Sequence, residues 1–459
     1  MQKILFIKII VIVSIALVLL IPLSMISGKI AERNYYLDHA KGSVADSWTR
    51  SQLIVGPVIV IPYVVEKKVE GWNEKLKSKT NKTVFQSGKK FILPGSVTID
   101  AVIKNEIRYK GIYKVLIYTT LLNVSGVLDT QLLQKEIETI IETTKESGES
   151  VKIGKAYLVT TVSDPRGINS TPTLNWMGEE ISFKPGSELT ANSSGIHAYL
   201  PDLDGKPEKV DFNFHLELRG MESLSFVPVG EEVTLKLSSS WPHPEFIGKF
   251  LPVSRTVDES GYQAEWKITS FASNILENVR QCESGNCSQL FNGQLGVRHI
   301  EPVDVYLQSE RSVKYGFLFI GLSFITFFIF ETVRELPIHA IQYTLVGCAI
   351  AIFYLLLVSL SEHIEFALAY TIATFSCVCM LLYYLRYVLG GHKEAAAFSG
   401  LLLLLYGVLY VIISAEDYAF LMGGCLTFIT LFVVMISTRN INWYQVGDRV
   451  ISAESDTTD

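Results

Sequence analysis

Apolar and polar residues form two patterns along the chain, and each predicts a different kind of structure. Near the N-terminus, residues 4–27 are almost wholly apolar, and Lys8 is their only charged member. Five more apolar runs follow Lys314, separated by short polar connections. A helix needs about 20 apolar residues to cross a bilayer. The pattern therefore predicts six transmembrane helices, at residues 4–27, 315–330, 338–360, 366–385, 395–413 and 418–436.

The first apolar run has a second interpretation, a cleaved signal peptide, which also begins with basic residues. The apolar core of a signal peptide is usually about 7–15 residues long and ends at a small-x-small cleavage site. Here the outer position of both candidate sites holds a bulky residue, Met25 or Ile26. The sequence favours an uncleaved membrane anchor.

Residues 30–312 carry most of the charged residues and show the period of a β-strand. Residues 210–219 and 232–237 alternate apolar and polar side chains, which is typical of strands with one buried face. Residues 131–144 instead have the period of an amphipathic helix. Such strands predict a β-rich domain with antiparallel, sandwich-like sheets.

These patterns predict four regions. Residues 1–29 form an N-terminal transmembrane anchor, 30–312 a large β-rich domain, 313–438 a five-helix bundle and 439–459 a tail.

Basic residues near the ends of the spans predict the orientation in the membrane. They are Lys3, Lys8, Arg334, Arg386, Lys393, Arg439 and Arg449, whereas the connections at 361–365 and 414–417 contain neither Lys nor Arg. The positive-inside rule counts such residues in short loops. It predicts a multi-pass protein with both termini in the cytoplasm and the domain at 30–312 on the opposite side of the membrane. Lys29, Arg33, Arg311 and Lys314 speak against this, but long domains translocate largely regardless of charge.

Composition agrees with a membrane protein that carries a soluble domain. The 459 residues are 49% hydrophobic and only 19% charged, below the roughly 25% of soluble proteins. The net charge of −6 argues against nucleic-acid binding. The expected partners of the apolar helices are membrane lipids, and the sequence sets no oligomeric state.

The sequence contains no catalytic signature. Gly-x-Ser-x-Gly, the phosphate-binding loop, Gly-x-Gly-x-x-Gly and His-Glu-x-x-His do not occur. His363 lies between Glu362 and Glu365, but a zinc site needs three or four converging ligands, and an exposed loop is the favoured interpretation. We expect no enzyme activity, no cofactor and no metal.

Three groups of residues are candidates for a role. Cys282 and Cys287 could form a disulfide in an oxidising periplasm, and unlinked thiols are the alternative. Glu362, His363, Glu416 and Asp417 in two connections between spans are candidate functional loop residues, with interfacial anchoring as the simpler interpretation. Trp241 and His243 belong to a proline-rich segment that either recognises a ligand or folds over the sheet.

Several segments, in order along nearly the whole chain, carry a family resemblance. In the large domain they are Glu32-Arg33, Gly56-Pro57-Val58-Ile59-Val60-Ile61-Pro62, Gly111-Ile112-Tyr113, Trp241-Pro242-His243-Pro244 and Gly261-Tyr262-Gln263-Ala264-Glu265-Trp266. In the membrane part they are Phe330-Glu331-Thr332, Gln342-Tyr343, Leu360-Ser361-Glu362-His363 and Thr438-Arg439-Asn440-Ile441-Asn442-Trp443-Tyr444. Through them the chain resembles the CreD family of bacterial inner-membrane, cell-envelope integrity proteins.

The resemblance implies a large periplasmic domain and a link to a two-component stress regulon, colicin tolerance and the β-lactam response. It supplies no catalytic residues. We therefore expect a non-enzymatic envelope protein whose periplasmic domain binds a partner. The alternative is a transporter or lipid-handling protein that uses the C-terminal bundle, and a periplasmic hydrolase with a dispersed site is a third interpretation.

Overall fold

The computed structural model describes residues 2–73, 78–189, 193–202, 207–301, 305–334, 338–414 and 419–439. The chain divides into two compact units. The helical unit comprises Met1–His39 and Val303–Asp459, and the β-rich unit comprises Ala40–Pro302.

Two sheets make up the β-rich unit in its described residues. Sheet A contains β1 (Gln52–Asn73), β2 (Ser78–Ile92), β5 (Ser150–Ile153), β6 (Tyr157–Val162), β9 (Lys184–Pro185), β10 (Gly195–Tyr199), β12 (Ser223–Val227), β14 (Pro244–Gly248) and β17 (Leu295–His299). Its order is β14-β17-β12-β1-β6-β10-β9, and β2 and β5 also pair with β1. Sheet B contains β3 (Ser96–Lys110), β4 (Tyr113–Asp129), β7 (Thr173–Trp176), β8 (Glu179–Ser182), β11 (Lys209–Met221), β13 (Glu232–Ser239), β15 (Ser254–Asp258) and β16 (Gly261–Thr269). Its order is β15-β16-β13-β3-β4-β11-β7-β8.

One apolar core receives side chains from both sheets. Every second residue of β11 from Val210 onward is buried, as the alternation predicted. Ile59 of sheet A belongs to the same buried cluster as Phe212 and Trp266 of sheet B. Burial of apolar surface stabilises such a core by roughly 25 cal/mol per Å².

The prediction of antiparallel sheets is wrong in part, because both sheets are mixed. β1 pairs parallel with β12, and β3 pairs parallel with β13. The β3–β4 and β4–β11 pairs are antiparallel. Alternation shows which face of a strand is buried. The same alternation occurs whether the neighbouring strand is parallel or antiparallel. The long connections of the chain set the direction.

The predicted helix at 131–144 is confirmed as α3 (Thr130–Glu146), and its start has a clear cause. The Asp129 carboxylate accepts the main-chain N–H groups of Gln131 and Leu132, which otherwise lack partners at a helix N-terminus. Three short helices, α4 (Ser270–Ser273), α5 (Ile275–Glu283) and α6 (Ser288–Phe291), lie between β16 and β17. A 3₁₀ turn lies at Pro165–Gly167.

The described helices outside this set are α1 (Gln2–Val18), α2 (Leu20–Ser47), α7 (Val305–Lys314), α8 (Gly316–Arg334), α9 (Ala340–Ser361), α10 (Phe366–Val388), α11 (His392–Ser414) and α12 (Ala419–Thr438). Among the described residues, four helices are long and apolar enough to cross a membrane: Phe6–Ser47, α9, α10 and α11. A fifth span results if α7 and the following helix, which meet at a bend of 42°, form one crossing. The apolar helix Leu421–Ile436 is shorter, so the sixth predicted span stays a prediction.

Candidate functional site

The outer face of sheet A is the surface turned away from the shared core. We define it by Val55, Val58, Tyr157, Val159 and Thr161, which the β1–β6 register brings together. The helices α5 and α6 cover this face, and Ile275, Val279 and Leu290 pack in one buried cluster with it. Sheet A therefore packs against apolar side chains on both of its faces. It differs in this from a sheet that has one face in water.

A disulfide between Cys282 and Cys287 fixes the turn between α5 and α6. The two Cα atoms are 4.1 Å apart, and Gly285 between them has φ of 100°. A glycine adopts that backbone region at little cost because it has no Cβ. The bond therefore holds the two short helices against the same patch of sheet.

Glu283, the last residue of α5, attaches that helix to β2. Its carboxylate accepts the main-chain N–H of Phe91 at 2.8 Å and lies 3.4 Å from Nζ of Lys90. A carboxylate that binds a free strand N–H gains a charge-assisted hydrogen bond. The covering helices are thus fixed to the sheet by polar contacts as well as by apolar packing.

A cavity of about 40 Å³ remains between the covering helices and the outer face. Its lining is almost wholly apolar and includes Val55, Phe91, Leu189 and Val279, together with both cysteines. Thr161 is the polar member of the lining. Its hydroxyl is buried and has no hydrogen-bond partner among the described residues.

Two more buried polar atoms on the same face lack a hydrogen-bond partner in the described part of the chain, although Nε2 of His197 lies 3.7 Å from the Glu188 carboxylate. Nδ1 of His197 hydrogen-bonds the main-chain oxygen of Gly186 at 2.7 Å, which leaves Nε2 as an acceptor in the neutral ring. In the described part of the chain neither His197 Nε2 nor the Tyr157 hydroxyl has a hydrogen-bond partner. Burial and the nearby Glu188 carboxylate raise the pKa of Tyr157, so this hydroxyl stays protonated and can donate.

A residue with an unusual backbone conformation lies beside these polar atoms. Glu188 has φ of 59°, a region that residues other than glycine rarely adopt. Its carboxylate accepts the Tyr199 hydroxyl at 3.2 Å, and its main-chain oxygen accepts a hydrogen bond from Lys89. Strain of this kind collects at functional sites, so the segment 186–189 is part of the candidate site.

The Trp241–His243 segment is folded against the end of β17. The Trp241 indole N–H donates to the main-chain oxygen of Ile300 at 2.8 Å. The main-chain N–H of Ile300 donates to the main-chain oxygen of His243 at 3.0 Å. Trp241 is half-buried and contacts the His243 ring edge-on. The structure does not bring this segment into the lining of the cavity described above.

Of the four candidate residues in the connections between apolar helices, the structure describes two. Glu362 forms an ion pair with Arg33, with Nε and Oε1 2.9 Å apart, while His363 is exposed. Glu416 and Asp417 lie outside the described residues. No group of three or more His, Cys, Asp or Glu side chains with metal-binding geometry occurs in the ranges that the structure covers.

Sequence reasoning missed a charged cluster inside the helical unit. Glu331 is almost fully buried, pairs with Lys8 from the first apolar helix and accepts the Tyr343 hydroxyl at 2.6 Å. The sole charge in the first span was the available signal, because a buried charge requires a partner. Nothing in the local pattern names a partner 323 residues away.

It also missed a buried pair in the β-rich unit. The Tyr262 hydroxyl and Nε2 of His299 are 3.0 Å apart, and both residues are buried. Burial lowers the pKa of His299 to about 4, so the ring is neutral at pH 7. Alternating burial along β16 places Tyr262 among the buried residues, but no pattern in the sequence pointed to its histidine partner.

Comparison with known proteins adds two findings. The profile of a family described as "Inner membrane protein CreD" matches residues 4–444. The chain is 33% identical over 443 residues to the "Inner membrane protein CreD" of Escherichia coli (strain K12), covering 96% of this chain and 94% of the relative. With four apolar helices long enough to cross a bilayer, these matches support an inner-membrane location. The chain belongs to the CreD family.

Proposed function

We propose that this chain maintains the cell envelope by binding an envelope component through a periplasmic domain held by a multi-pass membrane bundle. The family resemblance favours a role in a two-component stress regulon, in colicin tolerance and in the β-lactam response. Binding is favoured over catalysis, since the outer face of sheet A offers an apolar cavity lined in part by Thr161, whose hydroxyl has no hydrogen-bond partner among the described residues. This cavity is the observation that carries the proposal.

Two ion pairs support the proposed direction of the first span. Lys8 pairs with Glu331 near the end of α8, and Arg33 pairs with Glu362 just after α9. Residues 8 and 33 are separated by about 38 Å of helix, comparable to the hydrocarbon core of about 30 Å. The first helix therefore runs in the same direction as α9 and opposite to α8. An inward start for the first helix gives the orientation that the positive-inside rule favours.

Labelling tests this topology. A cysteine introduced at Ser260, in the β-rich unit, should react with a membrane-impermeant thiol reagent in intact spheroplasts. A cysteine at Lys393, in the first turn of α11, should react only after lysis. The opposite pattern contradicts the proposed orientation.

Crosslinking in native membranes tests the binding function. A photo-crosslinking residue at Leu189, in the cavity lining, should capture a specific envelope component. The same residue at Leu251, which is 69% exposed and not part of the lining, is the matched control. No difference between the positions, together with unchanged envelope phenotypes after deletion of the protein, would overturn the proposal.

The transporter alternative predicts a different result. If Glu362 serves as a gate, Glu362→Gln abolishes function while the protein still inserts normally. Its ion pair with Arg33 supports a structural role instead, for which function is retained. An envelope-protection assay with Glu362→Gln separates the two functions.

A further inference from the structure

The cavity between the covering helices and the outer face of sheet A has the size of one amino-acid side chain. Resting on the proposed function, we propose that it receives a valine, leucine or isoleucine side chain of a partner polypeptide whose neighbouring carboxylate binds Lys89. The partner would thus bind at this cavity through a segment that carries an aliphatic side chain and a carboxylate.

The volume selects the kind of group that fits. A cavity of about 40 Å³ has room for about three water molecules. A short branched hydrocarbon group fills comparable space, whereas a fatty-acyl chain is several times longer than the cavity allows. The volume therefore favours a single aliphatic side chain over a lipid tail.

The lining selects an apolar occupant. Val55, Phe91, Leu189 and Val279 line the space, and apolar cavities bind hydrocarbon groups. Moving one aliphatic side chain from water into such a site strengthens binding by a factor of about 10–100.

A polar residue in the described lining favours a polypeptide over a plain hydrocarbon. The Thr161 side chain lines the cavity, and its hydroxyl is buried without a partner among the described residues. A buried hydroxyl gains when a ligand supplies its hydrogen bond. A main-chain amide next to the inserted side chain provides that group.

A positive charge marks the edge of the site. Lys89 is two residues from Phe91, so both side chains lie on the same face of β2. Its Nζ donates to the uncharged main-chain oxygen of Glu188, next to Leu189 in the lining. Lys89 forms no ion pair with any other residue that the structure describes. A carboxylate beside the aliphatic residue complements this ammonium group.

Short peptides test the proposal on the full-length protein in nanodiscs. The probe is acetyl-Leu-Asp amide, with acetyl-Ala-Asp amide and acetyl-Leu-Asn amide as matched controls. We expect the alanine peptide to bind at least tenfold more weakly than the probe. The asparagine peptide should bind a few-fold more weakly and should lose the salt dependence that an ion pair produces.

Variants locate the binding. Val279→Phe fills the cavity and should abolish binding, whereas Leu276→Phe on the exposed face of the same helix should leave it unchanged. Thr161→Val keeps the shape of the side chain and should weaken binding a few-fold, and Lys89→Gln should remove the preference for aspartate. The threonine and lysine variants keep the test decisive if Val279→Phe misfolds.

Equal binding of the leucine and alanine peptides, or equal loss in the two phenylalanine variants, overturns the site. The proposed function is tested separately by the crosslink at Leu189. A specific crosslink without leucine-dependent peptide binding rejects only the aliphatic site. Leucine-dependent binding without any crosslink or envelope phenotype rejects the proposed function.

Discussion

In the helical unit, the buried Glu331 carboxylate contacts Lys8 and the Tyr343 hydroxyl, so side chains from three different helices meet there. In the β-rich unit, the buried His299 is instead neutral and shares a hydrogen bond with Tyr262. Charged pairs there lie near the surface, such as Lys267 with Glu265. The two units therefore bury polar side chains in different ways.

The two units differ in the interactions that can specify how their elements pack together. Apolar helices offer little selectivity among neighbours, since lipid tails are as apolar as their side chains. A buried charge pair can then select which helices meet. The β-rich unit has alternating strands and a large apolar core, so neutral polar groups with partners suffice.

Removing one member of the buried charge pair should have the largest effect. Glu331→Gln leaves Lys8 without a counter-charge and should destabilise the helical unit by about 3 kcal/mol. The readout is thiol labelling of Cys377, which is buried, with the exposed Cys348, Cys379 and Cys425 replaced. Glu265→Gln in the β-rich unit is the control and should change labelling little.

A charge swap between residues 8 and 331 tests whether the ion pair itself causes the effect. Lys8→Glu combined with Glu331→Lys should restore part of the lost protection, because the pair is rebuilt with reversed sign. Wild-type protection of Cys377 in Glu331→Gln alone would show that the pair does not hold the helices together.

Loss of the disulfide should have the next largest effect. Cys282→Ser with Cys287→Ser opens a short loop and should lower the stability of the covering helices by about 2 kcal/mol in the chain-entropy estimate. Faster hydrogen exchange in α5 and α6 measures this, with α3 of the same unit as an internal reference. Equal acceleration in α3 would mean that the bond stabilises the whole unit rather than its covering segment.

Acid should weaken the β-rich unit through His299. Its pKa is about 4 in the folded chain and about 6.5 when unfolded, so the unfolded state binds the extra proton as the pH falls. Stability is thus fully present above the unfolded pKa and should fall by about 1 kcal/mol between pH 7 and 5.5.

Tryptophan fluorescence during denaturant unfolding measures this loss, since Trp176 and Trp266 lie in the core of the unit. His299→Gln should flatten the pH dependence, while His215→Gln, at an exposed position, should not. An unchanged slope in His299→Gln would assign the acid sensitivity to other groups.

The smallest effect is expected for the second ion pair of the helical unit. Arg33 is 43% exposed in its pair with Glu362, so Arg33→Gln should cost less than about 1 kcal/mol in Cys377 protection. The exposed Arg298–Glu245 pair is the counterpart in the β-rich unit, and Arg298→Gln should cost a similar amount in fluorescence-detected unfolding. A loss as large as that of Glu331→Gln would mean that location in the helical unit, rather than burial, decides the effect.

The sequence predicted much of the secondary structure. The apolar runs 338–360, 366–385 and 395–413 correspond to α9, α10 and α11, and the alternating segment 210–219 lies within β11. Periodicity succeeds here because it records locally which side of an element is buried. For the candidate site it singled out Cys282 and Cys287, but it gave no reason to connect Thr161 or Leu189 with them.

What the sequence determined by itself is the division into apolar helices and alternating strands, along with family membership through ordered motifs. Only the tertiary structure decided the parallel pairing of β1 with β12, the contact of Lys8 with Glu331, and the cavity between α5, α6 and β1. Each of these joins residues far apart along the chain. A local pattern sets which residues are buried, whereas the choice of partner depends on how the whole chain packs.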